Sequence, residues 1–306
     1  DRWLESMAEC GVDPAFYTGR TREYDEILPW DFIDAGVTKD FLWREYMQSQ
    51  KETVTPNCRM QCSGCGCREV SALKVRIKFA KEGIMRFIGH LDMMRYFQKA
   101  FRRSGIDIQY SQGYSPHQLI SFAAPLGVGL TSTGEYMDIV MGDCPSSDEL
   151  VRRINEQMVE GVRILSAVAL PDDSKNAMSI VTTADYRITF REDMAPDFDL
   201  APAIESFMAQ DEIIVTKKTK KSEKTIDIRP YIYEMRLDGE GIFMQLASAS
   251  SNYTKPELVM DTFLRWMEEE PLPFAYMIER REIYANKGNE EHLKLVSMEA
   301  LGEEVE

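Results

Sequence analysis

From residue 72 onward the apolar and polar positions repeat with two different periods, and the switches between them lay out the chain. Leu73, Val75, Ile77 and Phe79 interleave with Lys74, Arg76 and Lys78, the period-two signature of a half-buried strand. Residues 91–103 change to helical spacing. Leu91, Met94, Tyr96, Phe97, Ala100 and Phe101 form an apolar face, while Arg95, Lys99, Arg102 and Arg103 form a cationic one. Ser104-Gly105 ends that helix. Two strands follow near 119–130 and 134–141, joined through Ser132-Thr133-Gly134. A helix begins at the cap Ser146-Ser147-Asp148-Glu149 and carries Leu150, Val151, Ile154 and Met158; a strand over 162–168 ends at Pro171. The order is β-α-β-β-α-β, that of the ferredoxin-like motif.

The order then recurs. Strands are expected at 186–190, 212–216, 225–237, 241–248 and 278–284, helices at 200–209 and 256–267, with the basic turn 217–224 after the second strand. The two runs share order but no visible sequence identity. The predicted fold is α+β: two tandem ferredoxin-like (βαββαβ) domains, residues 71–172 and 180–290, preceded by a short helical, Cys-rich segment, residues 1–70. Two or three short helices are expected before residue 50, the last over 39–50. Residues 291–306 read as a polar, acidic tail that frays.

Length, 306 residues, suits two or three domains, and no apolar run approaches the ~20 residues of a membrane span. The sequence starts at Asp1 without Met, so a fragment of a longer fused protein is considered. Charge changes the picture more. The net charge is −15, with six Lys/Arg against twelve Asp/Glu in residues 1–57 and fifteen against twenty-six in residues 184–306. Yet residues 74–110 hold nine Lys/Arg against three acids. Global acidity speaks against nonspecific nucleic-acid binding but not against a local basic cleft.

Two long stretches carry a family resemblance. HLDMMRYFQKAFRRSGIDIQYSQGYSPHQLISFAAPLGVGLTSTGEYMDI, from His90, resembles the signature region of the radical SAM-linked protein family (DUF2344), a domain of unknown function encoded beside, or fused behind, a B12-binding-domain-type radical SAM protein. DEILPWDFIDAGVTKDFLWRE and TPNCRMQCSGCGC resemble the C-terminal end of that radical SAM partner. The resemblance implies a cytoplasmic bacterial protein, often encoded near ribosomal and RNA-processing genes, with S-adenosylmethionine bound only in the upstream radical SAM domain. It supplies no established reaction. One departure is Cys65-Gly66-Cys67, where the family's last pair has two residues between its cysteines.

Four of the six cysteines, Cys58, Cys62, Cys65 and Cys67, fall within ten residues. The first three have the C-x3-C-x2-C spacing with which radical SAM enzymes hold an open 4Fe-4S cluster. Against that reading, Cys67 offers a fourth thiolate, and the chain behind lacks the strand–helix repeats of a barrel. A fully ligated auxiliary 4Fe-4S cluster or a Zn²⁺ site is favoured over an unmetallated loop.

His90, Asp92 and His117 are the candidates for acid–base chemistry or ligation; the bland alternative has His90 capping the helix behind it. Tyr110, Ser111, Gln112, Tyr114 and His117 combine planar and polar groups suited to splayed bases, or simply to a self-satisfied turn. Arg95, Lys99, Arg102 and Arg103, with Lys218, Lys220 and Lys221 of the second basic turn and Arg229, are the candidates for phosphate contacts; solvated faces are the alternative for the helix and the turn, and an Asp227–Arg229 strand pair for Arg229. Pro125-Leu126-Gly127-Val128-Gly129 lacks the helix and Lys-Ser/Thr of a phosphate loop and reads as strand glycines beside a close neighbour. The leading expectation is an RNA-binding module, for tRNA or ribosomal RNA, that presents substrate to the upstream radical SAM domain and is not itself an enzyme. The rivals are a protein–protein adaptor to that domain and a nucleotide-modifying domain using His90 and His117.

Overall fold

The computed structural model describes residues 2–29, 31–32, 36–55, 63–65, 72–111, 114–218, 223–289 and 292–306. The chain divides into two compact units, Asp1–Val70 and Ser71–Glu306. The first holds α1 (Arg2–Glu9), α2 (Pro14–Thr18) and α3 (Lys39–Ser49). Side chains of Asp13 and Thr38 accept from the N–H groups of Ala15 and Phe41 and cap α2 and α3. Tyr24 meets Trp43 edge-on at 5.5 Å. No residue of α1 or α3 is buried.

The second unit runs β1 (Leu73–Lys81), α4 (His90–Ser104), β2 (Ile120–Phe122), β3 (Thr131–Met141), α5 (Ser147–Asn155), β4 (Val162–Ala169) and α6 (Ala177–Ile180). It continues through β5 (Val181–Phe190), α7 (Leu200–Met208), β6 (Ile214–Lys218), β7 (Glu223–Asp227), β8 (Ile232–Asp238), β9 (Gly241–Ala247), α8 (Pro256–Trp266), β10 (Tyr276–Asn286) and β11 (Leu295–Ser297). The fold is mixed α+β. One nine-stranded sheet has the order β4-β1-β3-β10-β5-β9-β8, with β2 on β3 and β11 on β10, and β6–β7 forms a separate hairpin. Every pairing in it is antiparallel except β3 with β10, which run parallel where Thr131 and Ser132 meet Glu279 and Arg280.

Both βαββαβ runs therefore feed a single sheet, joined where β3 of the first run meets β10 of the second. Glycine explains how β10 comes so close: a Cβ on Gly134 would lie 2.2 Å from the carbonyl oxygen of Arg281. The close neighbour that the sequence suggests for Gly127 and Gly129 is found instead at Gly134, inside the continuous strand β3 rather than in a connection. The strand expected over 119–130 shrinks to β2, because Gly129 turns the chain at φ 94 just before β3. The strand expected over 225–237 breaks at the 3-10 turn Arg229–Tyr231, where Pro230 has no N–H for a ladder.

Two hydrophobic cores pack on this sheet. Val75, Ile77 and Phe79 of β1 pack with Phe97 and Phe101 of α4 and Leu150 and Ile154 of α5. Tyr186 and Ile188 of β5 pack with Phe207 of α7 and Phe263 of α8, and Tyr136 of β3 joins them. Tyr136 and Met137 are consecutive in a strand and so face opposite sides, which ties β3 into both cores.

The acidic tail does not fray. Within residues 292–306, β11 pairs with β10, Met298 is buried, and Ala169 of β4 exchanges backbone hydrogen bonds of 2.7 and 2.9 Å with Glu303. Glu299 accepts from Lys78 Nζ and Ser166 Oγ at 2.8 and 2.7 Å. The segment thus covers the face of β1 that alternation alone presents as cationic and half exposed. Arg76 is buried, donates to both carboxylate oxygens of Asp138 at 2.7 and 3.0 Å, and reaches the Met298 carbonyl at 3.2 Å. Lys74 donates to the Ser174 carbonyl and Lys81 to that of Ile88. Four of the nine cations of the basic stretch are internal ties, which leaves Arg86 and the four cations of the helix to carry any basic surface.

Candidate nucleic-acid interface

α4 forms because Met93, Phe97, Ala100 and Phe101 recur on one face and are buried, and it stops at Gly105 in the left-handed conformation, φ 66. Gly89, not His90, is the N-cap, and no side chain caps this end. His90 instead turns inward, its ring edge-on to Phe122 at 5.1 Å. It lines a cavity of about 20 Å³ together with Lys81, Glu135 and Phe79. That volume holds about one water molecule. Glu135 is occupied by Arg280, which donates to it at 2.7 and 2.5 Å and to the Ala124 carbonyl at 3.0 Å. Burial pushes the His90 imidazole below its ordinary pKa; Glu135 pulls the other way and Lys81 reinforces the drop. Burial likewise lowers the Lys81 ammonium. Sequence reasoning missed Lys81, Glu135 and Arg280. The signal available was a charged residue at an apolar-strand position, and it does not say which partner waits there.

The other acid–base candidates do not join His90. Asp92 is exposed and pairs loosely with Arg95 at 3.4 Å. His117 lies five residues before Phe122, about 16 Å of extended chain away. Its ring nitrogen Nδ1 and its N–H both meet Ser111 Oγ, at 2.8 and 3.1 Å, and its carbonyl accepts from the Ser111 N–H at 2.8 Å. His117 therefore closes its own turn.

That turn stands at the opposite end of β3 from His90, because Ile108 bridges Met141 and the Gln109 N–H donates to the Val140 carbonyl. Tyr110 is 42 % exposed, with its hydroxyl accepting from Gln118 Nε2 at 3.3 Å, and Tyr114 is fully exposed. Gln112 lies outside the described residues. The C-terminal end of α4 leads into this turn through the buried anchors Ile106 and Ile108, so Arg102 and the tyrosines share one end of the first half. Arg95, Lys99, Arg102 and Arg103 are all exposed. Arg103 donates to the Gln157 carbonyl at 3.0 Å and Arg95 holds Asp92. Lys99 and Arg102 have no hydrogen-bond or ion-pair partner among the described residues.

The second basic turn is not brought to this surface by any described contact. The side chain of Lys218 and all of Lys220 and Lys221 lie outside the described residues. Arg229 is spent on structure, donating to the carbonyls of Met208 and Ile232 at 3.0 and 3.2 Å. Asp227 accepts from the backbone N–H groups of Ile213 and Arg229 rather than from the Arg229 side chain. Of the four clustered cysteines only Cys65 is described; its carbonyl accepts from the Thr38 N–H at 2.8 Å, and Cys58, Cys62 and Cys67 lie outside the described residues. Among the described residues no group of three or more His, Cys, Asp or Glu is placed to hold a metal ion, and no helix is long and apolar enough to cross a membrane.

Residues 74–256, more than half of the chain, match the family described as "Uncharacterized protein conserved in bacteria (DUF2344)". The protein belongs to that family. Nothing among curated proteins matches it. Among solved structures it is similar to an unknown protein from Galdieria sulphuraria at 13% identity, over 69% of this chain and 98% of the other, with a TM-score of 0.22, a likeness too slight to bear on fold or function.

Proposed function

We propose that this chain is a cytoplasmic RNA-binding module, for tRNA or ribosomal RNA, that presents its substrate to a radical SAM enzyme. The observation that carries the reading is the state of the cations on α4. In a chain of net charge −15, Lys99 and Arg102 stand one helical turn apart, exposed and without carboxylate partners among the described residues. Beyond them the exposed rings of Tyr110 and Tyr114 offer stacking faces. Phosphates held by the helix and bases laid on the tyrosines would use both. The association with a radical SAM domain rests on the resemblance of residues 25–67 to the end of such a protein. Cys58, Cys62, Cys65 and Cys67 are then ligands of an auxiliary 4Fe-4S cluster or a Zn²⁺ ion, read out by iron, sulfide and zinc analysis of anaerobically prepared protein. Each half of the sheet, 71–172 and 180–290, we take as a ferredoxin-like unit, since the order is β4-β1-β3-β2 in the first and, with the β6–β7 hairpin set aside, β10-β5-β9-β8 in the second.

Filter binding of bulk tRNA and rRNA tests the reading. Affinity should fall roughly tenfold between 50 and 200 mM salt, as release of counterions from about two phosphates requires. The double variant Lys99→Glu/Arg102→Glu should lose most of it. No binding at the lower salt removes the RNA reading and leaves the adaptor; binding indifferent to the variant removes α4 as the phosphate contact.

A further inference from the structure

Where the two halves of the sheet meet, a cleft of about 280 Å³ opens beside the parallel pairing of β3 with β10. Arg86, Phe87, Val128, Arg191, Glu257 and Phe274 are among its walls. Two of these are exposed phenyl rings, Phe87 at 60 % and Phe274 at 83 %. Phe274 also has φ 62, and it is the one bulky apolar side chain in the left-handed region among the described residues, the other non-glycine cases being Glu52, Asp193 and Glu268. A bulky residue adopts this conformation at a cost that its surroundings must impose. Here the strain holds a ring in water while the next residue, Ala275, is buried. The two arginines are positioned by backbone. Gly129 N–H donates to the Arg86 carbonyl, and Arg191 N–H to the Ala275 carbonyl, each at 2.8 Å. The Arg86 guanidinium lies 4.9 Å from the Phe87 centroid, and neither arginine has a carboxylate partner among the described residues.

We propose that this cleft takes one unstacked nucleotide of a single-stranded RNA. The base lies against Phe274 and Phe87, and the flanking phosphate sits on Arg86 and Arg191. The inference rests on the RNA reading above but on different residues. Flat apolar faces beside two cations match a ligand that is planar and negatively charged. Glu257 supplies an acceptor for an exocyclic amine, as a base offers. An apolar peptide would use the rings and leave both arginines idle. The volume admits a single base, not a duplex.

The test uses the full chain and a fluorescein-labelled RNA decamer of mixed sequence carrying 4-thiouridine. Anisotropy across a salt series should show Phe274→Ala weakening binding roughly tenfold with an unchanged salt slope. Arg191→Glu should weaken it and flatten the slope by about one unit. Crosslinks should map to the peptides that contain Phe87 or Phe274. Circular dichroism should find both variants folded, since both side chains are exposed. Wild-type affinity in Phe274→Ala, or crosslinks confined to α4 and the 110–117 turn, overturns the cleft and leaves RNA binding through the helix intact. Failure of the unaltered chain to bind the decamer at low salt overturns both.

Discussion

Asp138 and Glu135 sit three residues apart on β3, and each grips an arginine on a flanking strand. Asp138 binds Arg76 of β1, and Glu135 binds Arg280 of β10, all four side chains being nearly inaccessible. A buried pair of this kind adds little over an apolar substitute, but breaking it strands a charge. Asp138→Ala should therefore cost about 3–5 kcal/mol in denaturant melts, more so because Asp138 Oδ2 also accepts from the Ala177 N–H at 2.8 Å. The double variant Arg76→Met/Asp138→Leu should recover most of that loss; if it is as unstable as the single variant, the pair does more than neutralise itself. His90 makes the second prediction at this scale. Its folded-state pKa is lowered by burial, so the unfolded chain binds more protons below the ordinary histidine value near 6.5. Its contribution is then fully present at neutral pH and is lost as pH falls through that value. The melting midpoint should drop between pH 7.5 and 5.5, and by less in His90→Gln. The other two histidines, His117 and His292, are exposed, so an equal drop in the variant would exclude His90 as the source. None of this pairing was legible in the sequence. Alternation over residues 73–79 says which side chains share a face, but not that a segment more than 200 residues away lies on top of them.

At the scale of elements, periodicity located the helices and most strands to within a few residues, because each buries one regular stripe. α4 is the clearest case: its apolar positions are spaced as the sequence shows and terminate at a glycine in the left-handed conformation. The exceptions are places where a neighbour, not the local pattern, decides. Gly134 looked like a turn residue beside Ser132 and Thr133, yet it lies inside β3 because the β10 backbone passes where a side chain would be. Gly134→Ala should cost about 1–3 kcal/mol or slightly more, since backbone, not a flexible side chain, is what must move. Hydrogen exchange should show the loss concentrated in β3 and β10. Uniform destabilisation with those amides still protected would argue against this strand pair as the joint. The cationic face of α4 was legible as a pattern. Which of its members are free was only partly so: helical spacing sets Arg95 beside Asp92, but nothing in it names the Gln157 carbonyl that Arg103 finds.

Across the whole molecule, the repeated order of elements was readable but its consequence was not. Two βαββαβ runs were expected as separate domains, and they supply one sheet. Pairing between β3 and β10 spans some 146 residues, and a one-dimensional pattern holds no record of such a contact. The segment 292–306 is misread for the same reason: its four glutamates suggest a solvated tail, yet the buried Met298, the pairing of β11 with β10 and the hydrogen bonds of Met298, Glu299, Glu303 and Val305 fasten it down. Deleting residues 291–306 should lower stability by at least about 3 kcal/mol, from the lost burial of one methionine and the loss of the Met298 carbonyl that the buried Arg76 guanidinium also donates to. A truncated chain that melts with the full-length one would show those ties to be ornamental.

The position of that strap has a bearing on how the protein is made. Arg76 leaves the ribosome 222 residues before the Met298 carbonyl that completes its shell, and Ser147 precedes its partner Val305 by 158. The amino-terminal half of the sheet can assemble during translation, but it must wait, with β1 and the β4 edge open, until the far end of the message has been read. During that interval the Ala169 end of β4 lacks its Glu303 partner and is an open edge of the kind that invites other strands, so slow decoding late in the message should increase nascent-chain aggregation more than the same delay placed just after β4.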